Sequence, residues 1–279
     1  MGSGETARVR CVAAVPCWVS LTARDLADAQ AFYGPLLGWE FEPGPDRFGP
    51  YVHAVVGGEA VAGLGVAGGG WEIPVAWTSY FGTESADAAA DAVRERGATL
   101  AVGPLAFDVG RIAFAADPAG AAFGIWEGPP GRARRLELPG APVWIELRTP
   151  DPFAAALFYG EVFRWDGRDP ERFEVRWEHD RVVLRAEGHS VAALAKEQAG
   201  GPAGAPPHWE VSFSVADTDR AIALAGELGG SALGPAFDSP YGRVARLQDP
   251  QGGRFAVISQ KGASQGPSSH PRAPGGERP

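Results

Sequence analysis

This chain is short of sulfur, of lysine and of long apolar runs. Cys11 and Cys17 are its only cysteines among 279 residues, and no CxxC spacing occurs. Two thiols near one end cannot build a disulfide framework, so a reducing compartment, the cytoplasm, is expected. No apolar stretch approaches the ~20 residues that a membrane-spanning helix requires. The opening MGSGETARVRCVAAV lacks the long apolar core of a secretory leader, and no membrane partner is expected. Surplus positive charge is missing too. The formal net charge is −9, which argues against nucleic acid as a partner. Lys196 and Lys261 are the only lysines, with arginine taking their place elsewhere, a bias of GC-rich coding that says little about chemistry.

What is present is a repeat. GRIAFAADPAGAAFGIWE at 110–127 returns as GRVARLQDPQGGRFAVIS at 242–259. The stretch from Pro16, PCWVSLTARDLADAQAFYGPLLGWEFE, matches PVWIELRTPDPFAAALFYGEVFRWDGR from Pro142. Trp18 falls on Trp144, Leu21 on Leu147, Asp25 on Asp151, Phe32-Tyr33 on Phe158-Tyr159 and Trp39 on Trp165. PVAWTSYFGTESADAA from Pro74 matches PPHWEVSFSVADTDRA from Pro206. Each copy runs about 125 residues, well beyond the 20–50 of solenoid repeats, so these are duplicated domains.

Local signals recur inside each copy. WVSL and WIEL alternate with period two, as strands do. Asp25 suits a helix N-cap, the apolar face Leu26, Ala29, Phe32, Tyr33, Leu36 and Leu37 follows, and Gly38 ends the helix. In the second copy Asp151 caps and Pro152 takes the first helical position, where its missing N–H costs nothing. Strands follow near 39–43, 50–57 and 59–66, then a strand at 75–82, a helix at 85–96 and strands near 99–107, 110–116 and 121–127. Each copy thus reads as βαβββ twice, with Asp117-Pro-Ala-Gly120 and Asp249-Pro-Gln-Gly252 as tight turns before the last strand. Residues 12–127 and 142–260 are the expected domains, 128–141 a Pro/Gly-rich linker carrying the basic run Arg132, Arg134 and Arg135, and 261–279 a disordered tail. Gly68–Gly70 and Gly200–Pro207 read as flexible joints.

DLADAQAFYGPLLGW, the Asp-Pro-x-Gly turn and the paired βαβββ modules resemble the vicinal oxygen chelate superfamily of glyoxalases, bleomycin-resistance proteins and extradiol dioxygenases. The resemblance covers about residues 14–260 and is nearest to a two-domain actinobacterial branch often labelled hydroxylase. It implies an α+β fold: two tandem glyoxalase-like domains, each of two βαβββ modules curled into a cupped, incomplete barrel with helices outside. It also implies four inward positions that carry His or Glu in the metal enzymes. Here those positions hold Trp18, Gly63, Thr78 and Gly124 in one copy and Trp144, Ala193, Glu210 and Ala256 in the other. One carboxylate among eight positions does not make a divalent-metal site, which needs about three protein ligands. His53, His179, His189, His208 and His270 match none of the eight. No metal and no cofactor are therefore expected.

Alternation assigns the rest of each cup. The first is aromatic and neutral: Trp18, Ser20, Thr78, Tyr80 and Trp126, with His53 nearby and Gly63 and Gly124 leaving floor space. Such a lining suits a flat, partly apolar ligand stacked on indole. The second gathers Trp144, Glu146, Arg148, Glu210, Ser212 and Arg254, and burial demands that the glutamates and arginines pair. Either the two tryptophans stack a ligand or they plug the barrels; either the charges serve a ligand or they form an internal network. Two functions follow. One is metal-independent binding of a small aromatic, natural-product-like molecule, as in sequestration or resistance. The other is a metal-free lyase, isomerase, cyclase or hydroxylase-like enzyme of secondary metabolism, with Glu210 or Glu146 as base and Arg148 or Arg254 holding an oxyanion. A metal-dependent dioxygenase or glyoxalase ranks behind both. The expected partner is a small molecule, on a monomer or homodimer.

Overall fold

The structure, a computed structural model, describes residues 8–9, 14–45, 49–66, 74–107, 110–129, 134–135, 138–165, 173–178, 180–186, 188–196 and 206–260. Cys11, Arg132, His179, His270, the tail and the glycine-rich joint at 68–70 lie outside them, as does most of the joint at 200–207. The first half contains β1 (Arg8–Val9), β2 (Pro16–Ala23), α1 (Leu26–Leu37), β3 (Glu40–Pro43), β4 (Tyr51–Val56), β5 (Glu59–Val66), β6 (Ala76–Gly82), α2 (Ala86–Glu95), β7 (Thr99–Phe107), β8 (Gly110–Ala116) and β9 (Ala122–Glu127). The second contains β10 (Arg134–Arg135), β11 (Pro142–Thr149), α3 (Pro152–Phe163), β12 (Phe173–Glu178), β13 (Arg181–Ala186), β14 (His189–Lys196), β15 (His208–Ser214), α4 (Thr218–Glu227), β16 (Ser231–Ala232), β17 (Phe237–Ser239), β18 (Gly242–Gln248) and β19 (Arg254–Ser259). Among the described residues no helix is long and apolar enough to cross a membrane.

The helices begin where the caps direct them. The Asp25 carboxylate accepts the Asp28 N–H, and the Asp151 carboxylate accepts from Phe153 and Ala154; each satisfies donors that a first helical turn leaves open. Helix α1 closes on Gly38 in the left-handed region (φ 69°), where the absence of a Cβ removes strain. Helix α3 closes the same way on Arg164 (φ 54°), a conformation that costs a side-chain-bearing residue about 1 kcal/mol.

Each half makes one large open sheet. The first runs β3-β4-β5-β2-β6-β9-β8-β7 and the second β12-β13-β14-β11-β15-β19-β18-β16, with β17 beside β18. At the centre β2 pairs antiparallel with β6, and β11 with β15. β5 and β9 run parallel to β2 and β6, as β14 and β19 do to β11 and β15. Neither sheet closes on itself, so each remains an incomplete barrel with two modules of one half side by side. A small ladder of Arg8–Val9 with Arg134–Arg135 stands apart from both and puts part of the expected basic linker into a strand.

The convex faces of the two sheets meet, and the helices share that side. Val19, Leu21, Phe81, Phe123, Ile145, Leu147, Phe213 and Phe255 are buried there, each such side chain contributing about 1.5–3 kcal/mol of transfer free energy. The contacts across the junction are reciprocal. Tyr33 OH donates to Asp249 at 2.9 Å and accepts from Trp77 at 3.0 Å; Tyr159 OH donates to Asp117 at 3.1 Å and accepts from Trp209 at 2.9 Å. The Trp39 indole N–H bonds the Gly140 carbonyl, and the Trp165 indole N–H bonds that of Ala14. Phe81 lies 4.9 Å from Trp209, and Phe213 4.9 Å from Trp77. The paired Phe-Tyr dipeptides are thus core residues, as their helical spacing predicts.

Candidate functional site

The concave faces are left to chemistry. In the first cup, Trp18, Ser20 and Thr22 alternate with buried Val19 and Leu21 along β2. Ser20 sits opposite Thr78 on β6 and Gly63 on β5; Trp18 sits opposite Tyr80, itself beside Gly124 on β9, which pairs with Phe114 on β8. Ser20 Oγ and Tyr80 OH are 2.9 Å apart, and the Trp18 indole N–H donates to Tyr51 OH at 3.2 Å. His53 is half-buried, edge-on to both Trp18 (5.9 Å) and Tyr51 (5.5 Å). Burial holds its imidazole below the ordinary value against the opposing pull of Glu42, so the ring is neutral at pH 7. Burial also pushes the Tyr51 phenol up to about 12 and raises that of Tyr80; both keep their protons.

The glycines of this cup do not leave the floor open. A Cβ on Gly63 would stand 1.7 Å from Tyr51 Oη, and one on Gly124 would stand 2.1 Å from Tyr80 Cδ1. The two tyrosine rings occupy the space that Gly63 and Gly124 release. The expected floor space is thus corrected: it is already filled, and the row continues onto β8 and the edge strand β7. There Val102 and Leu105, 44% and 47% exposed, pair with Phe114 and Ile112, and the half-buried Trp126 sits opposite Ile112. The result is an apolar wall facing solvent beside a neutral aromatic floor.

The second cup has the same rows and different occupants. Trp144, Ser212, Ala256 and Arg246 make one row across β11, β15, β19 and β18; Glu210, Glu146, Ala193 and Val183 make the next; His208, Arg148, Ala195 and Arg181 make the third. Arg148 Nη2 lies 2.7 Å from Glu146 Oε2 and 3.3 Å from Glu210 Oε1. Arg181 Nη1 lies 3.1 Å from Glu146 Oε1, and Arg246 Nε 2.7 Å from Glu210 Oε2. Every oxygen of both carboxylates therefore faces a guanidinium. The Arg246 guanidinium also stands over the Phe237 ring at 5.4 Å, and Tyr241, half exposed, stacks on Trp144 at 5.5 Å.

The expected Glu–Arg pairing is thus present through Arg148, as alternation places it, and through two further partners that the pattern did not supply. Arg254 is exposed at the start of β19, opposite Gln248 on β18, and enters none of these ion pairs. Its place is taken by Arg181 and Arg246. Both were within reach: Arg181 occupies the register of Tyr51, two residues before a cup-facing position, and the Asp249–Gly252 turn sets Arg246 opposite Ala256. Tyr51 follows from His53 by the same period of two. Tyr241, in a turn, left no periodic signal.

A fold of this type implies a metal, and these residues do not fit one. Among the described residues no group of three His, Cys, Asp or Glu could hold an ion. Of the eight marked positions, two have tyrosine rings pressed against a bare glycine, and Glu210 spends both oxygens on arginines.

Comparison with known proteins places this architecture. A glyoxalase-like domain model matches residues 144–258. The chain is 34% identical over 252 residues to CFP32 of Mycobacterium tuberculosis, provisionally named a glyoxylase, covering 87% of this chain and 94% of that one. It is 33% identical over 281 residues to the anthracycline biosynthesis protein DnrV of Streptomyces peucetius, covering 94% and 96%. Among solved structures it resembles the Mn(II)-bound glyoxalase of Novosphingobium aromaticivorans (TM-score 0.57, 20% identity, 90% and 82% covered). It also resembles the 2,3-dioxygenase LapB of Pseudomonas (TM-score 0.55, 15% identity, 95% and 98% covered).

Proposed function

This chain belongs to the glyoxalase-like family of the vicinal oxygen chelate superfamily, and from that premise we propose that it binds a small planar aromatic molecule in its first cup without a bound metal. The observation that carries this reading is the lining. Where metal enzymes of the fold place ligands, the first cup has Trp18, Gly63, Thr78 and Gly124, and beside them a wall of the exposed Val102 and Leu105 and the half-buried Ile112. Indole faces and aliphatic side chains recognise a flat apolar ring system, while the Ser20, Tyr51 and Tyr80 hydroxyls offer orientation. The anthracycline-biosynthesis names of DnrV and DauV support a polycyclic aromatic ligand of secondary metabolism.

The test is a titration with 1,8-dihydroxyanthraquinone followed by tryptophan fluorescence. Saturable quenching with the compound recovered unchanged is expected, with affinity falling roughly fivefold to tenfold in Trp18→Ala. Affinity unchanged by that substitution, or a stoichiometric transition metal in the purified protein, overturns the reading.

The relatives' biosynthetic names also support a catalytic reading, with Glu210 or Glu146 as base. The geometry weighs against it, since a base needs a lone pair open to substrate and all four oxygens are engaged by arginines. Conversion of the probe by the wild type, lost in Glu210→Gln, would restore it.

A further inference from the structure

We propose that the second cup is a separate site for an aromatic acid, a ring bearing a carboxylate or comparable anion, read by Arg246 and Arg181. The carboxylates of this cup are already committed: Glu146 to Arg148 and Arg181, Glu210 to Arg148 and Arg246. The two outer arginines, Arg246 and Arg181, keep donors beyond these pairs. Arg246 uses Nε on Glu210, while its Nη2 is buried and makes no hydrogen bond to any described residue. A buried guanidinium N–H without an acceptor is costly, and native structures rarely leave one so. Arg181 holds Glu146 through Nη1 and meets the exposed Asp180 through Nε at 3.4 Å, which leaves its Nη2, and it is 24% exposed along its side chain, against 5% for Arg148. The two outer guanidinium groups thus come from β13 and β18, on opposite sides of the central β11–β15 pair, each tied to one of the two glutamates.

The surroundings say what carries the anion. Trp144 is stacked by Tyr241 and lies in the row of Arg246, with only Ser212 and Ala256 between them. In the first half the equivalent row is Trp18, Tyr80, Gly124 and Phe114. The second half thus replaces a tyrosine by a serine and a phenylalanine by an arginine, exchanging ring bulk for a hydroxyl and a cation. A planar acid meets complementary groups here: indole and phenol faces for the ring, a guanidinium edge for the acid. The chain as a whole carries −9, so general electrostatics does not attract an anion, and the recognition must be local. The site requires neither the occupant of the first cup nor a metal.

The experiment compares 2-naphthoate with its neutral isostere 2-naphthamide on the intact protein by calorimetry. Naphthoate should bind about tenfold more tightly than the amide or better, the usual advantage of a charge-assisted hydrogen bond. Arg246→Gln should erase that preference, whereas Trp18→Ala and Arg254→Gln should keep it. Arg181→Gln, at a more exposed position, should reduce the preference and covers the case in which Arg246→Gln does not fold. In the wild type, naphthoate should raise the thermal midpoint more than the amide does at equal concentration. Equal affinity for both probes, a preference that survives in both arginine variants, or no naphthoate binding at millimolar concentration overturns the proposal. None of these results touches anthraquinone binding at Trp18, which stands or falls separately.

Discussion

The two cups share a strand order and a register, yet one holds its floor with phenols and the other with ions. Position by position, Ser20 and Thr78 in the first correspond to Glu146 and Glu210 in the second, Tyr51 to Arg181, and Phe114 to Arg246. Both floors are tied across strands, by Ser20–Tyr80 and Trp18–Tyr51 on one side and by three arginines on two glutamates on the other. The difference teaches that the scaffold needs its concave face filled and cross-linked but leaves the chemistry of that filling free. A neutral floor with an apolar wall and a charged floor with stacked rings are two solutions to one packing problem.

The sharpest way to break the comparison is to empty equivalent positions. Glu210→Ala takes from Arg246 its ion-pair partner and from Arg148 one of its two carboxylates, in a buried setting, and should cost about 3–5 kcal/mol in denaturant unfolding. Thr78→Ala, at the same register, should cost less than about 1 kcal/mol. Equal costs would mean that the ions carry no more of the second cup than a hydroxyl does of the first. Next in size is the junction. Tyr33→Phe and Tyr159→Phe each leave an aspartate oxygen and an indole N–H short of a partner, and each should cost about 1–3 kcal/mol. The two values should agree, because the contacts are reciprocal. A smaller change should remove a difference between halves. Arg164→Gly gives α3 the ending that Gly38 gives α1 and should stabilise the protein by about 1 kcal/mol.

The smallest effect is read as a slope with pH. Burial raises the Asp117 carboxyl above its ordinary value, against hydrogen bonds from Ala121, Tyr159 and Ala119 that pull it down. A folded value above the unfolded one means that the native state holds this proton more tightly. The corresponding stability is complete below the ordinary carboxylate range and lost as pH rises through the raised value. Relative to Asp117→Asn, wild-type stability should therefore increase as pH falls through that window. A flat difference would show that the turn's N–H groups fully offset burial.

The fold was legible because its signals are local and repeated. Asp25 and Asp151 cap as their spacing predicts, and β5 and β8 span the expected ranges 59–66 and 110–116. Duplication tied the two readings together. The site was less legible, because cup chemistry depends on which ring or ion leans over which neighbour. Gly63 and Gly124 read as open space, yet a glycine is as often the imprint of a bulky neighbour, and Tyr51 and Tyr80 are those neighbours. Arg254 alternates inward on paper but is exposed at the first position of its strand, whereas Arg246 becomes visible only once the hairpin register is fixed.

The crossed tyrosines have a consequence for how such a protein can change. Tyr33 is anchored in the last turn of the other half, and Tyr159 in that of its counterpart. Mutual anchorage places the molecule's two-fold likeness at the seam rather than in the bowls. Substitutions that retune one bowl meet no penalty at the seam and need no matching change in the other, so the duplicated chain can keep one partner's fit constant while its two mouths acquire different tastes.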